Sequence, residues 1–168
     1  MKYKFTGKTK VAYGTTLHQI VCVTPFKSVK AGDIGGWIES QKNLPQGNNA
    51  WVFDDAMMFG NSKMFDNSEM HDKSEMFDNS EMHHYSEMHG SAMMCGNSEM
   101  HDDSKMFGNS KMYDDSEMHN KSEMHNKSEM FDNSIMFGSS RMHDYSIMRN
   151  NSKLSGREIL LGTDIKGR

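Results

Sequence analysis

Residues 94–117 read MCGNSE MHDDSK MFGNSK MYDDSE, four consecutive six-residue units that each begin with methionine and carry serine in fifth place. The spacing extends in both directions, because Met occupies every sixth position from Met58 to Met148, sixteen times without a gap. Val52 and Leu154 keep the phase, which makes eighteen hexads over residues 52–157. Such units bury their apolar residues only by stacking on one another, so the repeat decides the fold.

The period of six excludes an α-helix, because six residues advance a helix by about 600° and successive Met would form no stripe. Within a hexad such as Ser80-Glu81-Met82-His83 the alternation predicts a short strand, with Ser and Met on one side and Glu and His on the other. Pairs such as Gly96-Asn97 tolerate the left-handed backbone of a tight corner. Three hexads per turn then predict a three-sided solenoid of six coils, about 29 Å long at a strand spacing of ~4.8 Å.

This pattern resembles the hexapeptide repeat of left-handed β-helix proteins, in which an aliphatic residue stands first and a small residue fifth. Here Met replaces the aliphatic residue, and Ser stands fifth from the hexad of Met64 to that of Met148, except at Ala92. The segment AGDIGGWIE at residues 31–39, followed by Asn43-Leu44 and Ala50-Trp51-Val52, is similar to the N-terminal segment of phage and bacterial hexapeptide-repeat proteins. The resemblance implies an all-β, single-stranded, left-handed parallel β-helix and a phage or prophage origin.

The two ends of the chain depart from the repeat. Residues 1–51 are predicted to form an N-terminal β cap, residues 52–157 the β-helix, and residues 158–168 a C-terminal cap or tail. Caps are expected because a solenoid end exposes unpaired strand edges and an open core. Trp37 and Trp51 are predicted to plug the first coil, and Ile159 and Leu160 to fold over the last methionine layer.

Assigning every third hexad to one side yields three outer faces. The second face is rich in apolar residues, which predicts an interface with a second copy of the chain or with a protein partner. The same aromatic ladder could instead serve only to stabilise neighbouring coils. The predicted interface residues are Met57, Phe59, Phe77, Met93, Cys95, Tyr113, Phe131 and Ile147.

The third and first faces carry histidines beside glutamates. On the third face, stacking of the histidines is favoured over a specific metal site, because the ladder is flat, although imidazoles with adjacent carboxylates can bind zinc. Protonation of these histidines below pH ~6.5 could also relieve repulsion between the glutamates and change stability or association. The third-face residues are His83, His101, His119, Glu81, Glu99 and Glu117, and the first face repeats the theme at Glu69/His71, Glu87/His89 and Glu123/His125.

Composition excludes several classes of function. The net charge of −4, with Lys and Arg spread along the chain, predicts no binding to nucleic acid or to anionic membranes. No stretch approaches the ~20 apolar residues of a membrane span, and the N-terminus lacks the apolar core of a secretory signal. Cys22 and Cys95 suggest no disulfide framework. A cytoplasmic location is therefore expected, in the host cell if the protein is phage-encoded.

The sequence favours a rigid binding or assembly module without catalytic residues or a cofactor. The hexads run without an inserted loop that could wall a coenzyme A pocket, and no periodic histidine stands out as a general base. No phosphate-binding loop or Ser-His-Asp grouping occurs either. Such a module would act through protein–protein contacts on its faces, as a scaffold or as an inhibitor of a host factor. The alternatives are a hexapeptide-repeat acyltransferase-like enzyme and a metal-binding protein that uses the His/Glu ladder.

Overall fold

The computed structural model describes residues 1–167, which form β-strands and no helix. The strands, in chain order, are β1 (Tyr3–Ala12), β2 (Thr15–Cys22), β3 (Ile34–Ile38), β4 (Trp51–Val52), β5 (Met57–Met58), β6 (Lys63–Met64), β7 (Glu69–Met70), β8 (Glu75–Met76), β9 (Glu81–Met82), β10 (Glu87–Met88), β11 (Met93–Met94), β12 (Glu99–Met100), β13 (Lys105–Met106), β14 (Lys111–Met112), β15 (Glu117–Met118), β16 (Glu123–Met124), β17 (Glu129–Met130), β18 (Ile135–Met136), β19 (Arg141–His143), β20 (Ile147–Arg149), β21 (Lys153–Leu154), β22 (Ile159–Leu161) and β23 (Asp164–Lys166).

These strands stack into three sheets, one on each side of a solenoid. Within the repeat, each strand pairs in parallel with the strand one coil away, so that Met88 lies opposite Met106 and Met94 opposite Met112. The predicted all-β, three-sided parallel β-helix is therefore confirmed. The first face is the seven-stranded sheet β4-β7-β10-β13-β16-β19-β22, the second is the ten-stranded sheet β1-β2-β3-β5-β8-β11-β14-β17-β20-β23, and the third is the six-stranded sheet β6-β9-β12-β15-β18-β21.

Methionine fills the core of the solenoid. Every hexad Met from Met58 to Met148 is fully buried. The serines in fifth place are buried as well, and several of their hydroxyls donate to the carbonyl three residues earlier, as from Ser74 Oγ to His71 O at 2.8 Å. Burial of each Met side chain contributes roughly 1.5–3 kcal/mol, which makes the methionine column the main source of stability.

The corners between strands are bonded from coil to coil. Corner residues such as Asp102 and Asn126 adopt positive φ, near 60°, the conformation that Asp and Asn tolerate best after Gly. The carboxylates of most of these corner Asp residues accept a hydrogen bond from the backbone N–H one coil further on, as Asp72 Oδ2 does from Gly90 N at 2.8 Å. The corner residues thus both turn the chain and tie neighbouring coils together.

The N-terminal β1–β2 hairpin is an antiparallel extension of the second-face sheet. Its tip lies across the outside of that face, where the Tyr13 ring stacks on Phe59 and Phe77 with centroid distances of 5.5 and 6.2 Å. The Tyr13 hydroxyl donates to Glu75 Oε2 at 2.9 Å. The sequence did not predict this contact, because it joins segments about sixty residues apart.

Of the two tryptophans predicted to plug the first coil, one lies inside the solenoid and the other on its outer surface. Trp51 is buried in the first coil, where Tyr3 and Phe26 pack edge-on against it. The prediction for Trp37 is wrong: it lies half-buried on the outer side of β3, and Ile38 takes the core position in register with Met58. Side chains alternate between the two sides of a strand, so Trp37 would point into the core only if β3 were shifted by one residue.

The C-terminal segment continues the solenoid. Leu160 pairs with Met142 and Ile165 with Met148, so β22 and β23 add strands to the first and second faces. Leu160 is 9% exposed in a core position, whereas Ile159 points outward and is 56% exposed. Leu160 therefore stacks on Met142 as the next layer of the solenoid, and the predicted fold over the last methionine layer is wrong for Ile159. The solenoid has about seven turns rather than six, as the seven-stranded first face shows.

Candidate functional site

The predicted interface residues of the second face form one continuous strip. All eight are half-buried, and their aromatic rings stack in parallel, Phe59 on Phe77 at 5.0 Å and Tyr113 on Phe131 at 4.7 Å between centroids. Cys95 lies between these two pairs, and burial raises the pKa of its thiol to about 11. At neutral pH the sulfur is therefore a protonated, weakly polar member of the strip rather than a nucleophile.

The hairpin tip divides this strip into a covered and a free part. Tyr13 stacks on Phe59 and Phe77, so the chain itself covers the N-terminal third. The free part begins one coil later and is interrupted by a single ion pair between Lys111 Nζ and Glu129 Oε1 at 3.7 Å. It consists of Met93, Cys95, Tyr113, Phe131 and Ile147, and we call it the free strip.

The third face carries the predicted columns of histidine and glutamate. The rings of His83, His101 and His119 stack in parallel at 4.8 Å, with interplanar angles of 5° and 6°. Each histidine Nε2 faces the carboxylate on its own strand, at 3.3 Å for Glu81, 2.8 Å for Glu99 and 2.7 Å for Glu117. Burial, followed by the neighbouring His101, lowers the pKa of His83.

The first face has a similar ring stack with a different charge pattern. His71 and His89 stack at 4.5 Å, and Phe107 joins the column at 5.2 Å from His89. Basic side chains neutralise the glutamates here, as in Lys27–Glu69 at 2.6 Å, Lys105–Glu87 at 2.9 Å and Arg141–Glu123 at 2.9 Å. The two faces therefore share their imidazoles but differ in how their charges are arranged and paired.

One group of side chains on the third face has the composition of a metal centre. The ligand atoms of His83, Glu99 and His101 all lie within 4.8 Å of one another. Two imidazoles and one carboxylate form a donor set suited to Zn²⁺ and related ions. The sequence prediction named these three residues within its six-residue ladder and did not single them out.

Sequence reasoning missed a buried lysine at the N-terminal end. The Lys2 side chain is enclosed, and its Nζ donates to Asn48 Oδ1 at 2.9 Å and to Ala50 O at 3.0 Å. The rings of Tyr3 and Phe26 flank the ammonium with centroids at 5.8 and 5.6 Å. Burial lowers the pKa of Lys2 to about 8. Nothing in the second residue of a chain signals such burial, because it depends on contacts with residues 44–50.

Comparisons with known proteins agree with the repeat. No protein-family model matches the chain. The uncharacterized acetyltransferase YdcK of Escherichia coli (strain K12) is 42% identical over 38 residues, which are 23% of this chain and 12% of that protein. The match and the solenoid together fit a hexapeptide-repeat β-helix. Within residues 1–167, no helix is long and apolar enough to cross a membrane.

Proposed function

We propose that the protein is a rigid, non-catalytic assembly module that associates with a second copy of itself through the second face. The observation that carries this proposal is the free strip, five half-buried apolar side chains that lie close together on the second face. Contiguous apolar patches on the surface of soluble proteins often mark interaction sites. The stack of Tyr13 on Phe59 and Phe77 shows in the same molecule that an aromatic side chain fits this ladder.

Symmetry favours a second copy as the occupant. A two-fold axis that lies in the plane of the interface, perpendicular to the solenoid axis, would bring each hairpin tip towards the free end of the partner's strip. The tip exposes Val11 by 73% and Tyr13 by 68%, which gives it apolar side chains for such a contact. The strip alone, about 20 Å by 13 Å, would bury roughly 500 Å² over both copies, so the tips are needed to approach the ~1,200 Å² of a stable interface. We therefore expect a weak dimer.

The biological setting is part of the same proposal. The segment Ala31–Glu39 resembles phage and bacterial hexapeptide-repeat proteins, which supports a phage or prophage context and action in the host cytoplasm. There the module would serve as a scaffold or as an inhibitor of a host factor. The acyltransferase alternative is supported only by a match that covers 12% of a curated relative.

Light scattering coupled to size exclusion tests the assembly. We expect a dimer at about 100 µM that Tyr113→Glu with Phe131→Glu converts to a monomer. Phe53→Glu with Phe107→Glu is the matched control, because it places two charges in the ring stacks of the first face. A monomeric wild type, or equal loss of dimer in the control, would contradict the proposal. A rise in melting temperature with acetyl-coenzyme A would instead favour the acyltransferase alternative.

A further inference from the structure

The third face carries a stack of three like charges, longer than any on the other two faces. Glu81, Glu99 and Glu117 lie directly opposite one another on three successive strands. Like charges in this position destabilise a sheet. On the first face only Glu69 and Glu87 lie opposite each other, and Lys27 and Lys105 form ion pairs with these two carboxylates.

Only a small part of this negative charge is compensated by basic side chains. Lys63 reaches Glu81 at one end of the column, at 3.4 Å. Among the described residues, the ion-pair partners of Glu99 and Glu117 are the histidines of their own strands. The third face therefore combines excess negative charge with a column of imidazole nitrogens, and both attract a cation.

We propose that the third face binds one Zn²⁺ ion, or a divalent ion of similar chemistry, through His83, Glu99 and His101. Their ligand atoms already lie within 4.8 Å of one another. Imidazole donors favour Zn²⁺ and neighbouring transition metals over Mg²⁺ and Ca²⁺, which prefer oxygen ligands. This site goes beyond the proposed assembly function and does not depend on it, since it lies on a different face.

The geometry requires only a small adjustment. In a tetrahedral zinc site with bonds of 2.0–2.1 Å, neighbouring donor atoms lie about 3.3 Å apart. The Nε2 of His101 lies 2.8 Å from Glu99 Oε2, so this pair already has nearly that separation. The stacked rings of His83 and His101 are 4.8 Å apart, and a tilt of each by about 12° would bring their nitrogens to the required distance. A water molecule would complete the coordination.

The first face supplies a control within the same molecule. His71 and His89 stack at 4.5 Å beside Glu69 and Glu87, so its donor atoms are similar. There, however, a metal ion would have to displace Lys27 and Lys105 from the carboxylates. We therefore expect binding on the third face to be at least tenfold tighter than on the first.

Calorimetric titration of EDTA-treated, dialysed protein with ZnCl₂ at pH 7.5 tests the site. We expect one ion per chain, an affinity reduced at least tenfold by His101→Phe and about tenfold by Glu99→Gln, and a change of less than twofold for His89→Phe. Phenylalanine occupies the equivalent position at Phe65 and Phe107, so the two histidine variants should retain the stack.

Two results would overturn the proposal. One is wild-type binding that is no tighter than that of His101→Phe. The other is an equal loss of affinity in His89→Phe, which would indicate diffuse binding to both columns. Nitrogen-15 spectra of the imidazoles give an independent reading, because Zn²⁺ should shift the His83 and His101 signals and leave those of His71 and His89 in place. Equivalent titration with MgCl₂ should give no comparable signal.

Discussion

Replacing Lys2 with methionine is expected to remove a pH dependence of the free energy of unfolding between pH 8 and pH 10.5. The Lys2 ammonium lies among Asn48 Oδ1, Ala50 O and two aromatic rings, and its side chain has little contact with water. Burial lowers its pKa in the folded protein to about 8 from an ordinary value of 10.5. The unfolded chain restores the ordinary value.

The direction in which the free energy of unfolding changes with pH follows from the number of protons bound in each state. Below pH 8 both states hold the proton, so the unfavourable burial of the charge is fully present. Between pH 8 and pH 10.5 the unfolded state binds more protons than the folded state, and stability therefore rises with pH. At about 1.4 kcal/mol per pKa unit, the shift corresponds to a gain of about 3 kcal/mol across this window.

Urea unfolding, followed by circular dichroism at pH 7.5, 8.5, 9.5 and 10.5, measures this gain. The difference in free energy between wild type and Lys2→Met should move by about 3 kcal/mol in favour of wild type from the lowest to the highest pH. Tyr3 is common to both proteins, and both carry Cys22→Ala, because the Lys2 charge acts on the pKa of the Cys22 thiol and the titration of Cys22 would not cancel. Lys4→Met, at an exposed position nearby, should show no such trend. A difference between wild type and Lys2→Met that changes by less than about 0.5 kcal/mol from pH 7.5 to pH 10.5 would refute the reasoning.

Three further changes test the acid range, the core and the N-terminal edge. The pKa of Glu69 is held at about 2 by the hydrogen bond from His71 and then by Lys27, so its contribution of roughly 3 kcal/mol should be lost as pH falls from 4.5 towards 2, and Glu69→Gln should flatten acid unfolding curves there. Met100→Ala should lower the free energy of urea unfolding by about 2–5 kcal/mol, and Met57→Ala on the outer side by less than about 1 kcal/mol; equal losses would contradict a methionine core. Asn43→Ala, which removes the side-chain bonds to Gly60 O and Ser62 O, should destabilise by about 1–3 kcal/mol and speed hydrogen exchange in β6; unchanged exchange would argue against this role.

The phase of the hexads was sufficient to place the core. A strict period of six with three sides fixes both the register and the inward direction, so each of the sixteen hexad methionines from Met58 to Met148 lies in the core, where the repeat predicts. The same phase also held a signal that sequence reasoning overlooked. Leu160 follows Leu154 by six residues and takes the next core position. Ile165 then pairs with Met148, a separation one residue short of a full coil, so the phase shifts in the last turn.

Residues outside the repeat could not be placed from the sequence. Trp37 and Ile38 are adjacent apolar residues, and only the pairing of β3 with β5 decides that Ile38 points inward. The stacking of Tyr13 on Phe59 depends on how the hairpin bends over the second face, which no local pattern encodes. Asn43 illustrates the same limit, since its side chain replaces a missing strand by bonding to Gly60 O and Ser62 O.

The candidate metal site was only partly predictable, for a related reason. Residues eighteen apart share a face, so the stack of Glu81, Glu99 and Glu117 can be read from the spacing once three hexads per coil are assumed. The difference between the first and third faces needs more, because Lys27 reaches Glu69 from the N-terminal segment, 42 residues away in sequence. The charge of a ladder therefore depends on contacts from outside the repeat as well as on its own period.

The glutamate columns of the first and third faces differ in a way that distinguishes a residue needed for stability from one suited to binding. On the first face, Lys105 separates Glu87 from Glu123 and Lys27 forms an ion pair with Glu69, so two lysines are enough to neutralise such a column. The third face uses no such residue between Glu81 and Glu117 and keeps Glu99 there instead. The repulsion opposes folding. A divalent cation would supply the missing charge, so the position that weakens the sheet is the one that provides a ligand.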